Sequence, residues 1–273
     1  MQPSQAAADD TDADLERRFG GLRRLYGDAG YRALRSGRVA VVGVGGVGSW
    51  AAEALARCGL AELTLIDLDH VAESNIHRQV QAVGATIGQA KVLALQQRLT
   101  DIHPACRIRT VEEFVAADNW PALLPAEVDV VIDACDQIGA KLALACWALG
   151  GRTPLVCVGA AGGKTQAQAV AVDDLDRVTH DPLLASLRRR LRAAEVVPRQ
   201  AAIGLRCVYS KEPMLRTVDD CAVDGGRAGP GPALGTLNCA GYGSTVVVTA
   251  SFGLAAAGEA MRLLLAPVMV RPA

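Results

Sequence analysis

Aromatic side chains and net charge are both scarce in this chain. Phe, Trp and Tyr make up 4% of its 273 residues, and 28 Lys and Arg nearly balance 29 Asp and Glu, so the formal net charge is −1. A protein that binds nucleic acid through a general basic field carries a large positive charge. The composition therefore predicts no DNA partner, and any contact with another nucleic acid must come from a local patch.

The chain also lacks the cysteine and histidine spacing of a metal or redox centre. None of its eight cysteines forms a C-x-x-C motif, so neither a zinc ribbon nor a dithiol site is indicated. The four histidines, at positions 70, 77, 103 and 180, do not make a ligand set. Free cysteines in mostly apolar segments, together with a polar N-terminal stretch that has no secretory signal pattern, predict the reducing cytoplasm.

One apolar run is long but interrupted. Residues 245–266 are the most apolar part of the chain, yet Glu259 and Arg262 break the roughly twenty apolar residues that a membrane span requires. The run therefore predicts a buried C-terminal helix or a dimer element. Peripheral association with a membrane stays open as the alternative.

The most informative stretch is residues 38–91. A β-branched run, RVAVV, leads into glycines in a G-x-G-G-x-G pattern, and a helical segment follows from Trp50. The glycines are Gly43, Gly45, Gly46 and Gly48. Glycine lets the backbone approach a ligand closely, while the free N–H groups and the dipole at a helix N-terminus favour a phosphate. The segment therefore predicts a nucleotide site.

Two nucleotides fit this glycine loop. Asp67 closes a second strand, LTLID, at about the twenty-residue spacing of the dinucleotide fingerprint, so an NAD-type cofactor is the first interpretation. The next segment favours ATP, because Arg78 and Lys91 suit a triphosphate whose departing charge must be neutralised. Further polar candidates lie in the same stretch: Asp69, Asn75 and Gln79.

Strands and helices alternate as far as residue 160. Predicted strands at 106–111, 128–133 and 154–158 follow the first two, with predicted helices at 86–102 and 138–149. This alternation predicts an α/β, Rossmann-like fold with a doubly wound, mainly parallel sheet. Ligands bind beyond the carboxyl ends of such strands, where Asp133 and Asp136 lie with Asp67.

The pattern changes after residue 160. Residues 167–172 alternate as in an antiparallel strand, and Asp181-Pro182 opens a helix, so a C-terminal antiparallel and helical extension is predicted. Clustered glycine, proline and aspartate at 217–235 predict a mobile crossover loop.

The predicted organisation is a single domain between two tails. An ATP-binding half at 17–160 is followed by a substrate or dimer half at 161–262. A disordered acidic tail at 1–16 and a short tail at 263–273 flank this domain.

Several separated motifs resemble one family. GVGGVGSW, D-x-D-x5-N-x2-R-Q, G-x-A-K and DACDQ resemble the superfamily that adenylates carboxylates, which includes the ThiF- and MoeB-type proteins and the ubiquitin-activating enzymes. Within it, RFGGLRRLYGDAGY, VCVGAAGG, DPLLASLRRRLR and NCAGYGSTVVVTASFG are similar to the tRNA threonylcarbamoyladenosine dehydratases. The resemblance spans roughly residues 18–262.

The resemblance implies ATP-dependent dehydration of threonylcarbamoyladenosine in tRNA through an adenylated carboxylate. It implies that Asp67 binds the ribose of ATP, that Arg78 and Lys91 bind the phosphates, and that Asp136 holds Mg²⁺. Arg78, Lys91 and Asp136 would then be the catalytic residues. A homodimer and a cysteine desulfurase or sulfur-acceptor partner are further expectations from the family. The glycine-rich loops also leave open a monovalent cation.

Two other functions stay open. The first is an adenylyltransferase that activates the C-terminus of a ubiquitin-like sulfur carrier, although such relatives often carry the C-x-x-C zinc motifs that this chain lacks. The second is a non-catalytic nucleotide-binding scaffold, in which the set of Arg78, Lys91 and Asp136 would be broken. That set is intact.

Two features of the second half remain. Four arginines crowd one helix, as a solvated face or as a contact for the tRNA backbone, whose phosphates suit planar guanidinium donors. They are Arg188, Arg189, Arg190 and Arg192. Some relatives carry a nucleophilic cysteine near the crossover loop, so Cys221 and Cys239 are candidates for a catalytic thiol. Most free cysteines, however, are buried apolar residues.

Overall fold

The computed structural model describes residues 5–151, 153–198, 201–215 and 242–269, with side chains from Asp14 onward. Within these ranges the strands form a single sheet. They are β1 (Arg38–Val42), β2 (Glu62–Ile66), β3 (Arg107–Val111), β4 (Val130–Asp133), β5 (Leu155–Val158), β6 (Val170–Asp174) and β7 (Arg206–Ser210). The helices are α1 (Gln5–Ser36), α2 (Gly48–Arg57), α3 (Lys91–Ile102), α4 (Ile138–Gly150), α5 (Pro182–Ala193) and α6 (Val246–Leu265).

The sheet has the strand order β3-β2-β1-β4-β5-β7-β6. The chain builds β2 and β3 on one side of β1 and then crosses to place β4 on the other side, so the order reverses between β1 and β4. Parallel pairing places Val42 opposite both Ile66 and Asp133, which brings the carboxyl ends of three strands to one edge. Among these seven strands only β6 runs antiparallel, against β7. The predicted fold class is confirmed.

Two apolar cores cover the two faces of the sheet. Val39 and Val41 of β1 face the core that is shared with α2, α3 and α6, while Ala40 and Val42 face the core that is shared with α4 and α5. Alternate side chains of a strand point to opposite faces, so both faces of this β-branched strand are buried. A buried parallel sheet of this kind fixes the ends of its strands firmly.

Helix α6 packs directly against α2. At Gly253 a Cβ atom would lie 2.5 Å from the carbonyl oxygen of Val47, so glycine lets the two backbones come together. By length and apolarity α6 would suffice to cross a membrane, but half of it is buried inside the protein. The buried Glu259 carboxylate pairs with Arg206 and Arg262. These contacts fit a core helix, which the sequence favours.

The N-terminal segment differs from its prediction. Residues 5–16, expected within a disordered tail, form the first turns of α1. Leu15 and Phe19 are buried on one side of this helix, and Asp14 binds Arg18 one turn later at 2.7 Å. This apolar stripe and ion pair give the acidic sequence a reason to be helical. The helix kinks at Gly27, whose φ is 68°.

Two further boundaries shift. Helix α3 begins at Lys91 and not at Thr86, because the Thr86 hydroxyl binds the Val83 amide and the Gln81 carbonyl and so closes a separate 3-10 turn. In the predicted strand at 167–172, residues 167–169 form another 3-10 turn before β6 starts. The predicted loop at 217–235 lies outside the described residues, as do both candidate thiols, Cys221 and Cys239.

Candidate active site

A cavity of about 250 Å³ opens at the carboxyl edge of β1, β2 and β4. It lies where the strand order reverses, which is where ligands bind in open α/β sheets. Most of the predicted nucleotide-binding residues line it: Gly43, Gly45, Gly46, Asp67, Asp69, Arg78, Gln79, Lys91 and Asp136. Residues far apart in the sequence thus meet at one place.

The glycine loop forms the first wall of this cavity. Gly43 has a φ of 82°, in the left-handed region that favours glycine, and its N–H donates to the carbonyl oxygen of Ile66 at 2.8 Å. Gly48 starts α2, and a Cβ there would lie 1.8 Å from the carbonyl oxygen of Gly43. Gly48 is therefore structural and does not line the cavity, whereas Gly45 and Gly46 before it do. Backbone N–H groups at such a helix N-terminus can bind a phosphate.

Asp67 is fixed at the end of β2 by backbone donors. One carboxylate oxygen accepts from the Val44 amide at 2.8 Å, and the other accepts from the Asp69 amide at 2.9 Å. Burial raises the pKa of Asp67 above its usual value, while the nearby charge of Lys91 acts in the opposite direction. Both oxygens keep a free lone pair, which suits the acceptance of hydroxyl hydrogen bonds from a ribose.

Arg78 enters the cavity from the segment between β2 and α3. Its guanidinium donates to the carbonyl oxygen of Ser74 at 2.7 Å, and its exposed fraction is 9%. Burial lowers the pKa of Arg78, but a guanidinium keeps its charge in proteins. Trp50 and Thr249 donate to the Arg78 backbone carbonyl at 3.0 and 3.4 Å. The guanidinium is thus held by Ser74, and the backbone of Arg78 by Trp50 and Thr249.

Lys91 supplies the second cation. Its ammonium lies 2.7 Å from the Asp69 carboxylate, and its backbone N–H donates to the Asp69 carbonyl oxygen at 2.9 Å. The Lys91 side chain is 9% exposed and that of Asp69 is 53% exposed. Asp69 therefore holds the lysine at the cavity wall while its own carboxylate faces solvent.

The two acids after β4 have different surroundings. Asp136 lines the cavity, in a turn with Ala134, Cys135 and Gln137. Asp133 does not line it: its side chain is fully buried and forms an ion pair with Lys141 at 2.9 Å. The geometry does not support the predicted contact of Asp133 with a cofactor, because its carboxylate points into the core.

Asn75 has a local role that the sequence did not reveal. Its side-chain oxygen accepts from the Ala72 amide at 3.0 Å, which closes a short turn before Arg78, and it does not line the cavity. Gln79 lines the cavity as predicted. The neighbouring Gln81, which was not predicted, donates to the carbonyl oxygen of Val44 at 2.9 Å and so ties this segment to the glycine loop.

Other wall residues were missed as well. Glu113, Phe114 and Val115 follow β3, and Tyr242 and Thr249 come from the second half of the chain. The strand-end rule that selected Asp67 would also have selected the residues after β3. Nothing in the sequence signalled Tyr242 or Thr249, because their approach depends on how the second half packs.

The arginines of α5 divide into two pairs. Arg188 donates to the carbonyl oxygens of Leu175 and Val178, each at 2.8 Å, and Arg192 binds the Asp176 carboxylate at 2.6 Å. Arg189 and Arg190 are exposed. Two of the four predicted tRNA-binding arginines thus stabilise the loop before α5, and two face solvent.

Among the residues that the structure describes, no group of three or more His, Cys, Asp or Glu could hold a metal ion. Cys135 lines the cavity, but burial raises the pKa of its thiol well above the usual value, and the neighbouring Asp133 charge acts in the same direction. Such a thiol is a poor nucleophile at neutral pH.

Comparisons with known proteins agree with this geometry. The model of the ThiF family matches residues 18–272. The tRNA threonylcarbamoyladenosine dehydratase of Escherichia coli is 38% identical over 91% of this chain and 94% of its own length. The Haemophilus influenzae enzyme of the same name is 34% identical over 92% of this chain and 95% of its own length. The crystal structure of the E. coli enzyme in complex with ATP has a TM-score of 0.81 at 36% identity and covers 92% of this chain and 95% of its own.

Proposed function

This chain belongs to the ThiF family, and we propose that it is an ATP-dependent tRNA threonylcarbamoyladenosine dehydratase. One observation carries the proposal: the glycine loop, Asp67, Arg78, Lys91 and Asp136 converge on a single cavity. Two relatives that cover more than nine-tenths of this chain bear the same activity in their names, and the E. coli one has been crystallised in complex with ATP.

The residues of the cavity suggest how ATP would lie. The Asp67 carboxylate would accept hydrogen bonds from the ribose, and the N–H groups of the glycine loop would receive the phosphates. Arg78 and Lys91 are two cations that line the same cavity. Phosphate oxygens would compete with Asp69 for the Lys91 ammonium, which lies 2.7 Å from that carboxylate.

A magnesium ion fits the donor set. Mg²⁺ is commonly bound through one or two carboxylates together with the phosphates of a nucleotide. Asp136 is a carboxylate on the cavity wall, and the described residues contain no complete protein cage for a metal. Asp136 would therefore hold a Mg²⁺ that is bound together with ATP, and the ion would supply positive charge to offset that of the leaving pyrophosphate.

The chemistry then follows two steps. The threonine-derived carboxylate of the modified adenosine attacks the α-phosphorus of ATP and displaces pyrophosphate, which converts a carboxylate oxygen into a good leaving group. A neighbouring substrate nitrogen then attacks the acyl carbon, closes a ring and expels AMP. Arg78 and Lys91 stabilise the negative charge on the phosphates, so the protein contributes mainly positioning and electrostatics.

The tRNA would approach α5. Arg189 and Arg190 are the exposed members of its arginine cluster, and guanidinium groups suit the phosphates of a nucleic-acid backbone. A homodimer and a cysteine desulfurase partner remain expectations from the family, while a cytoplasmic location and a monovalent cation remain predictions from the cysteines and the glycine-rich loops of the sequence. The sulfur-carrier adenylyltransferase remains the second candidate, because the same cavity suits its adenylation step.

Mass spectrometry of nucleosides tests the proposal. Threonylcarbamoylated tRNA incubated with the protein and Mg·ATP should lose the mass of one water from the modified adenosine, with AMP and pyrophosphate formed in equal amounts. Arg78→Ala and Asp136→Ala should abolish this change. Matched controls at exposed positions, Arg32→Ala and Asp118→Ala, should retain it.

One outcome would reject the substrate but keep the site. If the nucleoside stays unchanged while pyrophosphate release requires a ubiquitin-like carrier protein, the chain is an adenylyltransferase of the second kind. If neither tRNA nor a carrier supports pyrophosphate release, both candidates fail.

A further inference from the structure

Asp133 and Lys141 form an ion pair that is closed off from solvent beside the cavity. Both side chains are 0% exposed, and the Lys141 Nζ atom lies 2.9 Å from Oδ2 of Asp133. Asp133 is the last residue of β4, and Lys141 lies in the first turn of α4. The pair therefore ties together the two ends of the turn at 134–137.

Each partner makes further contacts across this turn. The Lys141 ammonium also lies 3.4 Å from the backbone carbonyl oxygen of Asp133 and 3.7 Å from the Cys157 sulfur. The other carboxylate oxygen of Asp133 accepts from the backbone N–H of Cys135 at 3.2 Å and from its thiol at 2.8 Å. The backbone N–H of Cys135, the residue before Asp136, is thus held by the Asp133 carboxylate, which is itself paired with Lys141.

Stability alone is a weak reason for such a pair. Moving two charges out of water is costly, and an apolar pair of similar volume is often equally stable. Its location offers a better reason, because the turn at 134–137 lines the cavity along its whole length. A rigid backbone in this turn fixes the position from which Asp136 projects.

We propose that Asp133 is a positioning residue: its carboxylate oxygen, which accepts from Cys135, fixes the turn at 134–137 and thereby holds Asp136 where it would bind the Mg²⁺ of Mg·ATP, while Lys141 neutralises the buried charge of Asp133. This inference rests on the proposed function, which supplies the roles of ATP and the metal. Asp133 itself does not contact the nucleotide, since its carboxylate is enclosed and engaged by Lys141 and Cys135. Removal of a group that orients a metal ligand commonly lowers metal affinity.

Two double variants separate positioning from stability. Asp133→Asn with Lys141→Met removes both charges but keeps an acceptor oxygen for the Cys135 amide. Asp133→Leu with Lys141→Met removes the charges and the acceptor while keeping a similar volume. We expect the first variant to bind Mg·ATP about as tightly as the wild type. The second should bind it about ten- to a hundredfold more weakly, the usual range when such a partner is removed.

Isothermal titration calorimetry measures this binding with Mg·ATP and, separately, with ATP in EDTA. A positioning role for the metal-binding acid predicts a larger loss in Mg²⁺ than in EDTA, whereas a loosened fold weakens both equally. Thermal unfolding establishes that each variant is folded. The control is Glu259→Gln with Arg206→Met, which removes another ion pair, at 2.7 Å, between the buried Glu259 and the partly exposed Arg206, and should lower only the melting temperature.

Equal Mg·ATP affinities for the two folded double variants would overturn the proposal, as would an equal loss in EDTA. If the leucine variant does not fold, Asp133→Ala with Lys141→Met provides the same comparison. Calorimetry does not require the tRNA. A failed dehydration assay with intact Mg·ATP binding would therefore reject the proposed substrate without deciding this inference.

Discussion

The indole N–H of Trp50 donates a hydrogen bond to the backbone carbonyl oxygen of Arg78 at 3.0 Å. Trp50 lies in α2, directly after the glycine loop, so the helix that begins at this loop also fixes the backbone of the buried cation. Because one element holds both parts, their separation is set before any nucleotide binds. Such preorganisation reduces the cost of aligning phosphate-binding groups.

Trp50→Phe should lower kcat/KM for ATP about two- to tenfold. The change keeps an aromatic ring but removes the donor, and a neutral hydrogen bond contributes about 0.5–1.5 kcal/mol. Steady-state kinetics checks the prediction. The control is Trp147→Phe, which should leave kcat/KM unchanged. Trp147 lies outside the cavity, with its ring centroid 5.3 Å from that of Trp120. Equal kinetics for the two variants would contradict the role of Trp50.

Gly48→Ala should prevent the glycine loop from closing. Its new Cβ would lie 1.8 Å from the carbonyl oxygen of Gly43, a backbone atom that cannot move aside cheaply. We expect a loss of several kcal/mol in the free energy of unfolding, as for a steric clash in a packed core. Gly139→Ala in α4, where nothing lies within 4 Å, should instead be neutral or stabilising by up to about 1 kcal/mol. Urea denaturation would compare them.

The α5 arginines should separate by function. Arg189→Ala with Arg190→Ala should weaken tRNA binding and reduce the slope of log K against log salt concentration by about 0.7–0.9 for each phosphate that is no longer neutralised. Arg188→Ala should mainly reduce stability, because it leaves the carbonyls of Leu175 and Val178 without their donor. Filter binding over a salt series distinguishes these effects. An unchanged slope in the double variant would remove α5 from the tRNA interface.

His103 should make stability depend on pH. The side chain is 3% exposed against Phe19, and burial lowers its pKa below the ordinary value of 6.5. The folded protein then binds fewer protons than the unfolded chain. The contribution of the neutral His103 to the free energy of unfolding is therefore complete above pH 6.5, and it decreases as the pH drops below that value.

Urea denaturation at about pH 5 and about pH 7.5 would measure this effect. His103→Leu cannot titrate and should show a smaller difference between the two pH values. Replacement of the exposed His70 by Gln should keep the difference seen in the wild type. If His103→Leu shows the same pH dependence as the wild type, another group is responsible.

The local pattern was sufficient for the central elements. Val39, Val41 and Val42 predicted β1 to within one residue, and Asp67 lies directly after β2 as expected. These predictions held because a strand buried on both faces and a tight glycine turn each require specific residue types over a few positions. Thr86 misled the prediction of α3, because its hydroxyl closes a nearby turn and does not cap the helix.

The amino-acid sequence by itself determined which chemical groups are present and which strands carry them, since glycine spacing and β-branched runs act locally. Only the tertiary structure decided which acid faces the cavity. Asp133 and Asp136 are three positions apart after the same strand, yet one is enclosed by Lys141 and the other lines the site. Whether a carboxylate is enclosed or faces the cavity depends on the charged and polar groups that the packing of other elements brings to it. The residues next to it in the sequence do not specify those groups.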